Sequence, residues 1–358
     1  MAEKESVLKD YAGRGDAELR AAIRAIQARE GDRLTILGHH YQIRPVVELS
    51  DFVGDSFKLC RDAAEARAKY IVFCGVRFMA ESARALARPD QVVQHPDPSA
   101  GCPMADMANL AQVEEAWQTL HTAQPGRKIV PVTYMNSNLD LKAFCGRNGG
   151  VVCTSSNAEK VLNWAYSQGD RVLFFPDEHL GRNTAHQMGM APEDVAVWDR
   201  LGGARQAENP ALAQAKLVVW KGFCHVHTYF TVEHIRAART RYPGAFVMVH
   251  PECPREVVAA SDAAGSTEAI VRRVREAQAG ETVCVGTELN LVSRLAQEYP
   301  DVRVVPLAPS VCPNMSKITL AKLLWTLEHL GETDVVEVDA TVAGQAREAL
   351  NRMLELAG

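Results

Sequence analysis

Three cysteines of this chain stand at corresponding positions in three similar stretches of sequence. Each ends a segment that begins with a short apolar run, in VVQHPDPSAGC, LVVWKGFC and VRVVPLAPSVC, which close at Cys102, Cys224 and Cys312. The chain has nine cysteines, so the repeat selects three of them by position alone. Three thiolates that meet at one point would bind one metal centre, an iron–sulfur cluster or zinc. On a [4Fe–4S] cluster they would leave one iron open to substrate, where it would act as a Lewis acid.

Acid–base and polar side chains follow other apolar runs of the same three stretches. They are His39 and Tyr41 in GHHY, Tyr134 and Asn136 in TYMN, and His250 and Glu252 in HPEC. In open α/β units, ligands bind beyond the carboxyl ends of the strands. A lone histidine after a strand is often only a structural hydrogen-bonding group. Here each histidine has an acid–base neighbour, which favours a functional role.

A hydroxyl residue opens a helical pattern in each repeat. Ser56 begins SFKLCRDAAEA, Ser155 lies in TSSNAEKVLNWA, and Thr267 begins TEAIVRRVREA. Such a residue is usually only a helix N-cap. Its recurrence in all three repeats favours anion binding, because a helix N-terminus offers unpaired N–H groups and a positive dipole end. These features together suit a small substrate with two or three negative groups.

The remaining cysteines give weaker signals. Cys60, Cys74, Cys153 and Cys284 lie inside apolar helix or strand patterns, where cysteine behaves as a small buried hydrophobic residue. The pattern assigns no role to Cys145. Cys253 adjoins Glu252 and is a reserve candidate for a ligand.

The elements that would position these residues alternate along the chain as apolar runs and helical patterns, which is typical of parallel βαβ units. We therefore predict an α/β protein of three homologous αβα units, each with a short, parallel, four-stranded sheet, which face one another around a central cluster site. The predicted strands lie near 34–38, 51–53, 70–74 and 91–94, near 128–133, 150–153, 171–175 and 216–220, and near 245–249, 257–261, 282–286 and 302–306.

The repeats also predict the unit boundaries. The first unit spans 1–110 and includes an amphipathic helix over Asp16–Glu30. The second unit spans 111–226 and carries a polar surface insertion at about 183–217. The third unit spans 227–319. A leucine-rich helix over Lys317–Leu330, a short strand over Asp334–Val338 and a final helix from Thr341 are expected to pack back onto the first unit, so that 320–358 completes it.

Composition excludes several classes of protein. The chain has 358 residues, of which 47% are hydrophobic and 23% charged, with a net charge of −5. No Lys/Arg-rich run is present, so binding to nucleic acid or to a membrane surface is not expected. The N-terminus is charged and no apolar run approaches the roughly 18 residues of a membrane span. These features predict a cytoplasmic protein, in which cysteines serve as ligands or buried thiols rather than disulfides.

A set of motifs, taken in order, resembles the quinolinate synthase family of bacterial NAD biosynthesis. The resemblance covers about residues 34 to 325. Its motifs are GHHYQ, GDS, CGVRFMAESA, AGCPMAD, TYMNSN, TSSNA, FPDEHLG, WKGFCHVH, HPEC, DAAGST and CPNM. They are specific as a set, although none is decisive alone.

The resemblance implies three α/β domains in a pseudo-threefold arrangement around an oxygen-sensitive [4Fe–4S] cluster. It also implies condensation of iminoaspartate with dihydroxyacetone phosphate to quinolinate, with loss of phosphate and two waters, and makes L-aspartate oxidase a candidate supplier of iminoaspartate. By motif, the cluster ligands are Cys102, Cys224 and Cys312. The implied substrate contacts are His39, Ser56, Tyr134, Asn136, Ser155, His250, Glu252 and Thr267. Tyr41 and Glu252 are the implied proton-transfer residues, assisted by His39 and His250.

Two departures and three alternatives stay open at this point. The insertion after Arg182 is longer than expected for the shorter family members, and CPNM leaves Cys312 as the one candidate ligand of its loop. One alternative is another iron–sulfur hydro-lyase that uses Lewis-acid chemistry. The second is a zinc hydrolase, whose bound water three soft thiolates would make a poor acid. The third is a non-enzymatic iron–sulfur sensor, which would need no acid–base groups.

Overall fold

The computed structural model describes residues 8–11 and 13–357 as an α/β protein with three parallel sheets. The first sheet has the order β2-β1-β3-β4, where β1 is Leu34–His39, β2 is Phe52–Gly54, β3 is Tyr70–Cys74 and β4 is Val92–Gln94. The second has the order β6-β5-β7-β9-β8, where β5 is Ile129–Tyr134, β6 is Val151–Cys153, β7 is Arg171–Phe175, β8 is Val195–Trp198 and β9 is Leu217–Trp220. The third has the order β11-β10-β12-β13, where β10 is Phe246–Val249, β11 is Ala263–Ala264, β12 is Thr282–Gly286 and β13 is Arg303–Pro306. The predicted α/β class with three repeated units is confirmed; the pseudo-threefold arrangement stays a prediction.

Helices connect the strands, as parallel pairing requires. In chain order they are α1 Asp16–Glu30, α2 Arg44–Val47, α3 Ser56–Glu65, α4 Arg77–Leu86, α5 Leu110–Ala123, α6 Leu139–Arg147, α7 Ala158–Gln168, α8 Glu178–Gln187, α9 Pro210–Gln214, α10 His225–Thr228, α11 Val232–Arg241, α12 Arg255–Ala260, α13 Thr267–Arg275, α14 Leu289–Glu298, α15 Leu320–Glu328 and α16 Ala340–Ala357. Within the described part of the chain, none is both long enough and apolar enough to cross a lipid bilayer. The charged N-terminus lies largely outside the described residues.

The described chain divides into two compact units. The first comprises the first sheet and its helices up to Cys102, together with Cys312–Asp339. Its core joins α1, β1, β3 and the apolar face of α15. The second unit runs from Pro103 to Val311 and includes the second and third sheets and α16. The predicted boundary between the second and third repeats near 226 stays a prediction, because both repeats lie in this unit.

The insertion of the second repeat contributes a strand, which corrects two predictions. β8 pairs in parallel with β9 at the edge of the second sheet, so this sheet has five strands rather than four. Trp198 at the end of β8 is buried, so the insertion is not only a polar surface segment. The alternation in Val195–Trp198 is the pattern of an edge strand with one buried face, but it is only four residues long among polar neighbours.

Two other short strands were predicted wrongly. In the third repeat, 257–261 is not a strand: helix α12 covers Arg255–Ala260, and the strand that follows is only Ala263–Ala264. A short apolar run cannot be assigned to strand or helix by periodicity alone, and Pro254 at the N-cap favours the helix. Asp334–Val338 is also not a strand, since it makes only an isolated bridge between Val335 and Gln94.

The last helix packs on the second unit, so the prediction that all of 320–358 packs on the first unit is wrong for α16. It crosses α6 so closely that a Cβ atom added at Gly146 would lie 1.8 Å from the backbone oxygen of Gln345. Arg352 of α16 also donates to the backbone oxygen of Gly150. The sequence pattern shows an amphipathic helix but not which apolar surface it covers.

We expect Gly146→Ala to lower the free energy of unfolding by about 1–3 kcal/mol, because the added methyl group forces α6 and α16 apart. Gly344→Ala is the matched control in α16, since a Cβ there meets no atom within 4 Å. Alanine is a better helix former than glycine, so this control should raise stability by up to about 1 kcal/mol. Thermal unfolding of the two variants measures both effects. Equal shifts of the same sign would contradict the close approach.

Candidate functional site

Four of the predicted site residues lie together at the carboxyl ends of strands in the second unit. Tyr134 is the last residue of β5, and its hydroxyl donates to Oε1 of Glu252, which follows β10. Nε2 of His250 lies 3.2 Å from Oγ of Ser155. Tyr134, His250 and Glu252 are almost fully buried. The expectation that strand ends of different repeats supply one group of polar side chains therefore holds within this unit.

Two further residues of this group were missed by the sequence analysis. Nδ1 of His227 lies 2.7 Å from Oε2 of Glu252, and Nε2 lies 3.0 Å from Oγ1 of Thr287. The side chains of Thr287, His227, Glu252 and Tyr134 thus form one continuous hydrogen-bonded chain. Thr287 follows β12 directly, so the strand-end argument applied to the third repeat would have found it. His227 lies three residues after Cys224 in FCHVH, which is a weaker signal.

Glu252 is ionised in this environment. Burial alone would raise the pKa of its carboxyl, but the neighbouring His227 and the hydrogen bonds from His227 and Tyr134 lower that pKa to about 2. The group is therefore a buried carboxylate that already accepts two hydrogen bonds.

His250 is neutral for the opposite reason. Burial and the neighbouring His227 lower its pKa to about 3, and the two rings stack with centroids 4.3 Å apart. Nδ1 of His250 accepts from the backbone N–H of Glu252 at 3.3 Å, so the proton of the neutral ring is on Nε2, which faces Ser155. His250 is thus a donor aimed at this hydroxyl.

A second carboxyl group, Asp177, was not predicted. It follows β7 in FPDEHLG, is fully buried, and accepts from the backbone N–H of Leu180 at 2.5 Å. Burial and the charge of Glu252 raise its pKa well above the usual range. Its Oδ2 atom finds no hydrogen-bond donor among the described residues. The pKa of Asp177 is therefore raised while that of Glu252 is lowered, a separation typical of acid–base sites.

In the first unit, His39 and Tyr41 repeat the local geometry of His250 and Glu252. The backbone N–H of Tyr41 donates to Nδ1 of His39 at 3.1 Å, as the N–H of Glu252 does to His250. The rings of His39 and Tyr41 meet edge to face with centroids 4.7 Å apart. The repeat thus recurs as a detail of side-chain geometry and not only of sequence.

The hydroxyl residues at the helix starts are not N-caps. The cap of α3 is Asp55, which accepts from Lys58 N at 2.9 Å, and the cap of α13 is Ser266. Ser56 and Thr267 are instead the first residues of these helices. Asn157 precedes α7, and the Ser155 hydroxyl contacts His250. This removes the simple capping interpretation for all three; anion binding stays a prediction.

Asn136 shows a polar group that the described residues leave unsatisfied. Its Oδ1 atom is buried and has no hydrogen-bond partner among them. Such an atom costs about 1–3 kcal/mol unless a donor reaches it. A bound ligand with a suitable donor would remove this cost, which agrees with the predicted role of Asn136 in substrate binding.

Burial separates the nine cysteines into two groups. Cys60, Cys74, Cys145, Cys153, Cys253 and Cys284 are buried, whereas Cys102, Cys224 and Cys312 are half-buried. Burial raises the pKa of the Cys284 thiol to about 11 and raises that of Cys253 well above its usual range. A buried thiol whose pKa is raised ionises less readily, so Cys253 is a weaker candidate for a ligand than the half-buried cysteines. The three cysteines selected by the repeat are the half-buried ones, and thiol donors are the ligand type that iron–sulfur clusters use, so their role as ligands stays a prediction.

Cys224, His227 and Glu252 also form a group whose potential ligand atoms lie within 4.8 Å of one another. A metal ion bound by all three would displace existing hydrogen bonds. The two ring nitrogens of His227 contact Glu252 and Thr287. The two carboxylate oxygens of Glu252 contact His227 and Tyr134. The arrangement is better described as a chain of hydrogen bonds in which His227 lies three residues after Cys224.

Comparison with known proteins shows one family over nearly the whole chain. A family model described as quinolinate synthetase A protein matches residues 21–355. A quinolinate synthase of Streptomyces coelicolor is 49% identical over 97% of this chain and 90% of its own length. A quinolinate synthase of Corynebacterium glutamicum is 48% identical over 99% of this chain and 92% of its own length. One of Acidobacterium capsulatum is 47% identical over 98% of this chain and 96% of its own length.

Proposed function

We propose that this chain, which belongs to the quinolinate synthase family, condenses iminoaspartate with dihydroxyacetone phosphate to quinolinate, with loss of phosphate and two waters. The reaction forms a carbon–carbon bond and is that of a transferase. The observation that carries the proposal is the buried relay of Thr287, His227, Glu252 and Tyr134, because a condensation with two dehydrations needs groups that take and return protons. A sensor would have no use for such a relay.

The cofactor in this proposal is a [4Fe–4S] cluster held by Cys102, Cys224 and Cys312. Its support is that these three alone among the nine cysteines escape burial. When bound, a cluster with three protein ligands supplies Lewis acidity through the iron that has none.

Protons move through Glu252 and its partners. Glu252 is a carboxylate because its hydrogen bonds and the neighbouring imidazole of His227 lower its pKa to about 2, so it orients Tyr134 and His227 by accepting their hydrogen bonds. Tyr134 and His227 contact its two oxygens, so either can hand a proton to it or receive one from it. Tyr41 is the proton-transfer residue of the first unit, oriented by its edge-to-face contact with His39.

Substrate binding uses the hydroxyl, amide and imidazole groups at the strand ends. Ser56 and Thr267 open helices that Asp55 and Ser266 cap, and these helix starts are the proposed binding points for phosphate and carboxylates. Asn136 supplies an unsatisfied amide oxygen for a donor of the substrate. His39, Tyr134, Ser155, His250 and Glu252 complete the proposed contacts. L-aspartate oxidase is the proposed source of the unstable iminoaspartate.

Anaerobic purification and assay test the proposal. The expected protein is brown, contains about four irons and four sulfides, and forms quinolinate from iminoaspartate and dihydroxyacetone phosphate. A colourless protein that binds zinc would favour a zinc hydrolase. A brown protein with no turnover of these two substrates would favour a sensor or another hydro-lyase.

A further inference from the structure

Two lysines tie together the loops that carry Cys102 and Cys312 in the first unit. Nζ of Lys317, five residues after Cys312, donates to the backbone oxygen of Ser99 at 2.7 Å. Nζ of Lys322 forms an ion pair with Asp97 and donates to the backbone oxygen of Lys317 at 3.0 Å. The two loops are far apart in sequence, so these contacts set their separation.

The loop before Cys102 is itself held in one conformation. Oδ1 of Asp97 accepts from the backbone N–H of Ser99 at 2.9 Å and from its hydroxyl at 2.7 Å. The backbone N–H of Arg77, at the start of α4, donates to the oxygen of Ala100 at 2.8 Å. Asp97 therefore connects the turn ahead of Cys102 directly to the ammonium group of Lys322.

The helix that carries Lys322 packs in the core of the first unit. Lys322 lies on α15, whose Leu323, Leu324 and Leu327 are fully buried in the first unit. Its ion pair with Asp97 is mostly shielded, with 28% and 11% of the two side chains exposed. Burial opposes ionisation of Asp97, but hydrogen bonds from Lys322 and Ser99 outweigh it and lower its pKa. A shielded ion pair with several hydrogen bonds holds geometry better than an exposed surface pair.

We infer that Lys317 and Lys322, with Asp97 and Ser99, form a clamp that holds the Cys102 and Cys312 loops at the separation needed by two ligands of one cluster. This inference rests on the proposed function, because it assumes that both cysteines bind the same cluster. The lysines contact the backbone oxygens of Ser99 and Lys317 and the carboxylate of Asp97, so we assign them as positioning residues.

The test is the rate at which the anaerobically reconstituted full-length protein loses iron to a ferrous chelator. We expect Lys322→Met and Lys317→Met to release iron at least about tenfold faster than the unaltered protein, since loss of groups that orient metal ligands costs about 10- to 100-fold in affinity. The visible absorption of the cluster should change in the same variants. Lys322→Arg keeps a charge and donors for Asp97 and should restore slow release.

Controls separate positioning from general stability. Lys216→Met removes a Lys–Asp pair of 3.0 Å with Asp194 in the second unit and should release iron at the unaltered rate. Thermal unfolding of the cluster-free proteins reports folding. If Lys322→Met does not fold, Lys317→Met decides, because it leaves the Asp97 ion pair intact.

The experiment distinguishes failure of the clamp from failure of the proposed function. If the unaltered protein binds no cluster, the proposed function and the clamp both fail. If the unaltered protein binds about four irons and both lysine variants lose iron as slowly as it does, the clamp alone fails. Equally rapid loss in Lys216→Met would also overturn the clamp.

Discussion

Replacement of Cys102 by alanine is expected to abolish both the brown colour of the anaerobically reconstituted protein and its formation of quinolinate. The proposed cluster has three protein ligands, and the other six cysteines are buried, where a thiol ionises less readily. Iron and sulfide analysis together with the anaerobic assay measures the two losses. The same result is expected for Cys224→Ala and Cys312→Ala.

A buried cysteine provides the matched control for this prediction. Cys74 lies at the end of β3 in the core of the first unit, and burial raises the pKa of its thiol. Cys74→Ala should keep colour and activity and lower the free energy of unfolding by about 1 kcal/mol, as is usual for a small change in a core. A Cys102→Ala protein with full iron content would exclude Cys102 as a ligand and remove the basis for the cluster site.

The substitution Glu252→Gln is expected to lower quinolinate formation by about 10²- to 10⁴-fold while leaving the iron content unchanged. Glutamine has the same shape and can still bond to Tyr134 and His227, but its amide is uncharged and cannot hold a proton in exchange with them. The assay and the iron analysis are made on the same preparation. Loss of activity without loss of iron is the result that distinguishes a role in proton transfer from a role in holding the cluster.

Glu256→Gln is the control for charge and residue type. Glu256 lies four residues later on α12 and is exposed, so its substitution should leave both activity and iron content near their original values. If Glu252→Gln loses iron in proportion to activity, Glu252 acts on the cluster rather than on protons. If it keeps full activity, the relay has no catalytic role.

Most strands were predictable because parallel strands covered on both faces are continuous apolar runs. The runs at Ile129–Tyr134 and Tyr70–Cys74 are buried along nearly their whole length, as such strands must be. Prediction failed where this reason does not apply. β8 is an edge strand and β11 has only two residues, so neither leaves a strong pattern.

The part of the candidate site that lies directly after strands or at helix starts was predictable from the sequence. Tyr134, Ser155, His250 and Glu252 were predicted from their positions after strands or at helix starts, and the structure brings them into contact. His227 was missed because its partners Glu252 and Thr287 are 25 and 60 residues away along the chain. A contact of this kind leaves no local pattern in one sequence.

Periodicity and repeated position are properties of the chain alone, so the α/β repeat and the three candidate cysteines were predictable from the residues. The groups that share protons were not predictable in this way. Glu252 and Asp177 each follow a strand in the sequence, but in the folded chain the pKa of Glu252 is lowered to about 2 and that of Asp177 is raised. The physical reason is that a pKa depends on burial and on the donors that distant segments bring within hydrogen-bond distance, and those exist only in the folded chain.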